Sequence, residues 1–341
     1  MSNQQTMATL QARIAKGWKP NNYLTNMSMA FFQDPADFVA PSIFPICPVQ
    51  QSSSYYYRFS KADLARDNVQ RKPAFGHVAP AIMGQDDDTY KCVVDQVLVG
   101  IDQLAQLDYQ RSRAPGVADP RRAKVRFATE QMLLHQDIIF ATKFFKTGVW
   151  ANELEGKASS PGSGEFLKFS DSSSDPIGLF DDLRTDIKRK GRRTPNRLAL
   201  GIEVYNALKN HPAIMERIKY TGTTANPARV NPRVLAELFE VEQVKVMEST
   251  YNAAGLGQAE NMQFICDSKS ALLCYATPTP QIDEPSAGYI FTWDMLGNGA
   301  PVAFDQFEGY EADHSEFVEG LMASDMKKTC DDLAVFLKDC V

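Results

Sequence analysis

Four histidines, His77, His135, His211 and His314, are the side chains of this sequence best suited to hold a metal or move a proton. They stand far apart, and none falls in the HxxxH or HExxH spacing that puts two imidazoles on one helix face. Asp86, Asp87 and Asp88 form an acidic run able to attract a hard cation, but it lacks the ligand spacing and turn glycine of an EF-hand and reads as a solvated loop tip. Gly255 and Gly257, and Gly297 and Gly299, invite comparison with phosphate cradles. Neither pair completes a GxGxxG between strand and helix, and no Walker lysine follows, so both read as turns. Cys47, Cys92, Cys266, Cys274, Cys330 and Cys340 contain no CxxC pair and match no protease signature; they read as reduced, buried hydrophobes. No GxSxG elbow occurs. These residues give no support to an enzyme, and no catalytic residue, cofactor or metal is expected.

The densest charge lies in 188–193, where Lys188, Arg189, Lys190, Arg192 and Arg193 fall together. Three readings stand: a helix terminus with its turn, a local DNA contact, or a partner contact. Cations in a last turn complement the negative end of the helix dipole, which favours the first. No aromatic residues interleave with them to stack on bases. The whole chain has a net charge of −6, against a surface that seeks phosphate everywhere. Its 341 residues are 44% hydrophobic, enough for one large or two ordinary domains. No apolar run is long enough to cross a membrane and no secretion signal opens the chain, so synthesis in the cytoplasm and no membrane partner are expected.

The elements around these residues fall in a marked order. Residues 1–50, after a short helix near 10–15, are punctuated by Pro20, Pro35, Pro41, Pro45 and Pro48. This arm cannot hold itself together, yet it carries Phe31, Phe38 and Phe44, each worth about 1.5–3 kcal/mol if fully covered. Residues 51–105 read as a long two-stranded excursion with a charged tip. A helix capped by Asp119 and started by Pro120 runs to about 146, with Phe127, Leu134, Ile138, Ala141 and Phe145 as its apolar stripe. A Ser- and Gly-rich loop over 151–175 follows. A second helix begins with Asp175 as cap and Pro176, buries Ile177, Phe180, Leu183 and Ile187, and stops at a left-handed Gly191. "RLALG" then reads as a buried strand within an α/β middle segment. Beyond it, "MQFIC" and "ALLCYATP" flank the turn "DSKS" as a hairpin. "GYIFTWDML" puts Tyr289, Phe291, Trp293 and Met295 on one strand face, and "LAVFLKDCV" closes the chain as a strand or helix.

This order resembles that of the tailed-bacteriophage major capsid proteins, the Hong Kong 97-type fold. The likeness is carried by "FVAPSIFPICPVQQSSSYYYRFSKADLARD" at 38–67, "SDPIGLFDDLRTDIKRKGRRTPNRLALGIEVYNALKNHPAIMERIKY" at 174–220 and "MASDMKKTCDDLAVFLKDCV" at 322–341. The resemblance implies an α+β chain with an N-terminal arm over 1–50 and an extended β-hairpin loop over 51–105. It further implies a peripheral domain over 106–174 and 289–341 that carries the spine helix 119–146, and an axial α/β domain over 175–288. It implies a structural head protein that self-assembles into hexamers and pentamers of an icosahedral virion shell enclosing double-stranded DNA, contacted weakly and without sequence specificity. A portal protein, a separate scaffolding protein and decoration proteins are the further partners it suggests. Phe31, Phe38, Phe44, Arg58, Lys61, Asp63, Arg66, Asp67 and Arg71 become the candidates for contacts between subunits. An encapsulin-type nanocompartment shell shares the fold, and a soluble nucleotide-using α/β enzyme is the reading of a different class.

Overall fold

The computed structural model describes residues 38–59, 61–72, 74–103, 120–218, 230–255, 257–280, 284–295, 302–309 and 314–341. Phe31, the helix expected near 10–15, the expected cap Asp119, and Gly297 and Gly299 lie outside them.

Two sheets organise the chain. The first contains β1 (Ile46–Val49), β4 (Val93–Asp102), β12 (Gly288–Trp293), β13 (Val302–Glu308) and β14 (Ser315–Lys328). Strand β14 is its backbone: β13 and β12 pair with it antiparallel in succession, and β4 pairs with it from Ser315↔Asp102 to Ser324↔Val93. Strand β1 joins the edge by running parallel to β12, with Ile46 opposite Ile290. The second sheet has six strands in the order β6 (Glu165–Leu167), β5 (Glu153–Lys157), β15 (Ala334–Lys338), β11 (Ala271–Cys274), β7 (Arg197–Gly201) and β8 (Gln243–Met247). Strand β11 is buried at all four positions, as a central strand covered on both faces should be.

Helix α1 (Ala40–Ile43) precedes β1, and between β1 and β4 the chain forms β2 (Ser53–Phe59), α2 (Lys61–Ala65) and β3 (Gln85–Lys91). Strands β2 and β3 pair antiparallel as a separate ribbon, from Ser53↔Lys91 to Phe59↔Gln85. Helix α3 (Pro120–Lys143) follows and holds the two sheets together. Its first half packs Val125, Ala128 and Met132 against Phe304, Val318 and Met322 of the first sheet. Its last turn, with Phe140, and the residues just after it, Phe144 and Phe145, pack on Ala199, Leu272 and Phe336 of the second.

The stripe of α3 differs from the expected one. Its buried face is Val125, Ala128, Thr129, Met132, Leu133, Gln136, Asp137 and Phe140, whereas Phe127 is 49% exposed and Leu134, Ile138 and Ala141 are half-buried. Three polar residues sit inside, each with a partner there, although Gln136 Oε1 is left without one. The Thr129 hydroxyl donates to Val125 O, Gln136 Nε2 to Met322 Sδ, and Asp137 accepts backbone amides. A stripe chosen by hydrophobicity alone selects the wrong face.

Helix α4 (Pro176–Gly191) forms for local reasons. Asp175 Oδ1 accepts from Gly178 N at 3.1 Å, Pro176 starts the helix, and Ile177, Phe180, Leu183 and Ile187 are buried. It ends differently from expectation. Arg192, with φ 61°, takes the left-handed position, and Gly191 remains helical. The need for glycine at 191 is steric: a Cβ there would lie 2.5 Å from Leu333 Cδ2 and 2.8 Å from Asp332 O. Helices α5 (Ile202–Lys209), α6 (Pro212–Ile218) and α7 (Pro232–Leu238) complete this layer, burying Val204, Leu208, Ile214 and Leu235 with the stripe of α4.

The expected hairpin across "DSKS" does not form. Strand β10 (Met262–Phe264) pairs with β9 (Thr250–Asn252), and β11 lies between β15 and β7. The "DSKS" segment serves the start of α5 instead, where Ser268 O accepts from Glu203 N at 3.1 Å and Val204 N at 3.3 Å. The second sheet runs across the expected divisions at 174/175 and 288/289. Strands β5, β6 and β15 lie in the same sheet as β7, β8 and β11, because β15 supplies the central pairing partner that β11 and β5 need.

Candidate assembly surfaces

The β2–β3 ribbon is anchored at its root and bare at its tip. At the root, Tyr90 stacks on Phe291 at 4.8 Å and Tyr56 lies 5.3 Å from the same ring. Lys91 N donates to Asp325 Oδ2 at 2.9 Å. Burial, followed by the hydrogen bond to Asp88 at 2.8 Å, pushes the Tyr56 phenol well above its ordinary range, so Tyr56 donates at every physiological pH. Beyond the ribbon, α2 is clasped to the second sheet's layer: Lys61 pairs with Asp332, and Arg192 Nη1 donates to Leu64 O at 2.9 Å. Asp63 Oδ2 accepts from Gly84 N at 3.0 Å and closes the loop across its own base.

Past this clasp, Val69, Phe75, Ile82 and Met83 stand exposed, with Leu64 and Val78 beside them. So much apolar surface on one projection is a mark of a contact surface. The charged candidates divide. Arg58, Arg66 and Arg71 are exposed, Asp67 is exposed and accepts from Val69 N, and Lys61 and Asp63 are engaged inside their own chain. The apolar tip was missed by a reading that weighed charge. The signal was present in "PAFGHVAPAIMG", where prolines disfavour regular structure and leave Phe75, Ile82 and Met83 without a core to enter.

The base of the arm is built into its own chain. The Asp137 carboxylate accepts from Ala40 N at 2.9 Å and Val39 N at 3.2 Å, capping α1 from a residue on α3. The Ser249 hydroxyl donates to its other oxygen at 3.1 Å. Burial raises the Asp137 pKa, with the Ala40, Val39 and Ser249 donors opposing that shift. Phe44 follows, fully buried, edge-on to Phe140 at 5.3 Å and Phe144 at 5.1 Å. Gly288 makes room for it; a Cβ there would lie 2.6 Å from the Phe44 ring. Phe44 is therefore corrected from a contact between subunits to a core residue, because α3 and Trp150 already enclose it. Phe38, one residue before the Asp137 contact, is half-buried.

The basic cluster is largely spent at home. Arg189 pairs with Asp186, Lys190 Nζ donates to Asn152 Oδ1 at 2.9 Å, Arg192 holds the loop, and Arg193 lies 3.4 Å from Glu284 and over the Tyr275 ring. It ends a helix and ties three segments to that end.

The residues singled out for chemistry are not gathered. Among the described residues no three His, Cys, Asp or Glu side chains form a metal-holding group. His77 and His314 are exposed, and His135 lies 3.5 Å from Asp95. His211 is buried, with Nε2 2.9 Å from Ser174 Oγ and 3.2 Å from Asp171 O. Its Nδ1 accepts from Ala213 N at 3.3 Å, which puts the proton on Nε2 and leaves no free base for Ser174. Burial raises the Cys92 and Cys274 thiols to about 12, so neither is a thiolate nucleophile. Gly257, with φ 83°, lies in the loop between β9 and β10, not between a strand and a helix.

This arrangement, a projecting loop on two sheets bridged by one long helix, is the Hong Kong 97-type capsid fold. A phage-related protein from Bordetella bronchiseptica RB50 is similar with a TM-score of 0.70 and 19% identity, over 94% of this chain and 97% of that one. A virus-like particle from Pyrococcus furiosus matches with a TM-score of 0.53 and 10% identity, over 92% of this chain and 98% of that one. In sequence, the chain is 27% identical over 231 residues to the major capsid protein of Burkholderia phage BcepMu, covering 67% of this chain and 68% of that protein. No family model matches the chain. The likeness to tailed-phage capsid proteins first visible in the sequence is borne out in both fold and relative.

Proposed function

We propose that this chain is the major capsid protein of a tailed phage, a structural subunit whose work is assembly. Copies join as hexamers and pentamers of a closed icosahedral shell that holds double-stranded DNA. The observation that carries this reading is the capsid fold presenting an exposed apolar loop tip, Val69, Phe75, Ile82 and Met83, far from its own core. The likeness to the BcepMu major capsid protein supports it. The second sheet with α4–α7 is the part that meets around the capsomer axis, and it includes β5, β6 and β15. The first sheet and the first half of α3 form the peripheral part.

Phe38, Arg58, Arg66, Asp67 and Arg71 serve contacts between subunits. Contact with DNA is weak and without sequence preference, consistent with the net charge of −6. A portal protein, a separate scaffolding protein and decoration proteins complete the head, and the subunit is made in the host cytoplasm before it enters the virion. Negative-stain microscopy of the purified protein tests the reading: closed shells are expected, and nuclease-resistant DNA inside particles from producing cells identifies the cargo. A monodisperse monomer at assembly concentrations refutes it.

A further inference from the structure

Helix α2 is placed without a core of its own. None of its residues is buried, and five residues are too few to hold a helix in water unaided. What ties it to the second sheet's layer is polar. Lys61 pairs with Asp332, in the 3-10 turn Asp331–Leu333 ahead of β15, and the Leu64 carbonyl accepts from Arg192 Nη1 at 2.9 Å. The two grips lie within one turn of the helix. The gripping residues are also fixed to each other: Gly191, next to Arg192, lies so close that a Cβ there would sit 2.8 Å from Asp332 O.

Arg192 is strained where it stands. It takes the left-handed conformation, φ 61°, at the end of α4, where its N donates to Lys188 O at 3.0 Å. Glycine fills such a position without strain, and arginine does not. Strain of this kind persists at sites where the mechanism uses it. The part of Arg192 that reaches the loop is its guanidinium.

We propose that Arg192 and Asp332 are positioning residues for assembly: by gripping α2 they set the direction in which the loop tip projects, and that direction decides how copies meet. Phe75 lies ten residues beyond Ala65, up to about 33 Å away when the chain is extended. A swing of about 10° at the grip therefore moves the tip by up to about 6 Å. That exceeds the roughly 4.5 Å within which apolar groups touch. The grip is weak enough to open, since the Lys61 and Asp332 side chains are 45% and 37% exposed. Its geometry concerns a single chain, and its consequence rests on the assembly reading above.

Arg192→Gly in the full chain tests this, because it relieves the strained conformation while removing the grip. Its urea midpoint should match that of the parent. In the unassembled subunit the amides of Arg66 and Gly84, which donate to Asp63 of α2, should exchange about three- to tenfold faster. In negative stain, uniform shells should give way to particles of mixed diameter or open sheets. Arg192→Lys, whose Nζ can reach the same carbonyl, should restore both. Lys61→Glu should reproduce the loss, and Lys61→Glu with Asp332→Lys should reverse it. Shells of parental diameter and yield from Arg192→Gly would overturn the proposal, whatever the exchange rates. So would loss of shells with exchange unchanged, because Arg192 would then act between copies. If the parent itself forms no shells, the assembly reading fails and the consequence with it, and exchange alone decides whether the grip holds the loop.

Discussion

Phe44→Ala separates a core residue from an interface residue. The ring is fully buried between Phe140, Phe144, Trp150 and Gly288, all of the same chain. Removing a large aromatic from such a site costs about 3–5 kcal/mol, partly lost transfer energy and partly the cavity left behind. With a urea m-value of about 2–3 kcal/mol/M, the unfolding midpoint of the unassembled subunit should fall by about 1–2.5 M. Trp150, whose ring centre lies 6.3 Å from that of Phe44, reports the transition by fluorescence at the perturbed site. If Phe44 acted only between subunits, the midpoint would stay within about 0.3 M of the parent while assembly failed. That outcome would refute the placement of the arm's base inside its own chain.

Asp137→Ala should orphan the Val39 and Ala40 amides at a cost of about 1–3 kcal/mol each, seen as faster hydrogen exchange at those two residues with α3 still protected. His135 is held above its ordinary value by the hydrogen bond to Asp95, outweighing burial. The pair's stabilisation is therefore full below the ordinary value of 6.5 and is lost as pH rises through the raised one. Both partners are partly exposed, so the slope should amount to a few tenths of a kcal/mol and vanish in His135→Gln when stability is compared at pH 6 and 8. The double variant Phe75→Ser, Ile82→Ser should leave subunit stability within about 0.5 kcal/mol while abolishing shells in sedimentation.

What could be read before the fold was known follows from range. Helix α4 was legible in its cap, its proline and its stripe because all three act within sixteen residues of one another. The period-two face of Tyr289, Phe291, Trp293 and Met295 was legible for the same reason, and these residues do share a core. The placement of β15 between β11 and β5 was not, since its neighbours come from distant parts of the chain and pairing leaves no mark on any single strand. On α3, the polar residues Gln136 and Asp137 hid the buried face, because their partners Met322, Val39 and Ala40 are far away in sequence. The apolar tip of the loop was written in plain residues, and only its exposure needed the fold.

Strand β4 leaves the ribbon directly and runs beside β14 from Val93 to Asp102. Ladder hydrogen bonds in an antiparallel pair lie across the strands. A tug on the projecting loop along its own axis therefore strains that ladder sideways, loading its bonds together and not peeling them one by one. Filled to pressure from within, a container made of such pieces would hold through the register of β4 on β14, and its walls would yield last where the two strands overlap longest.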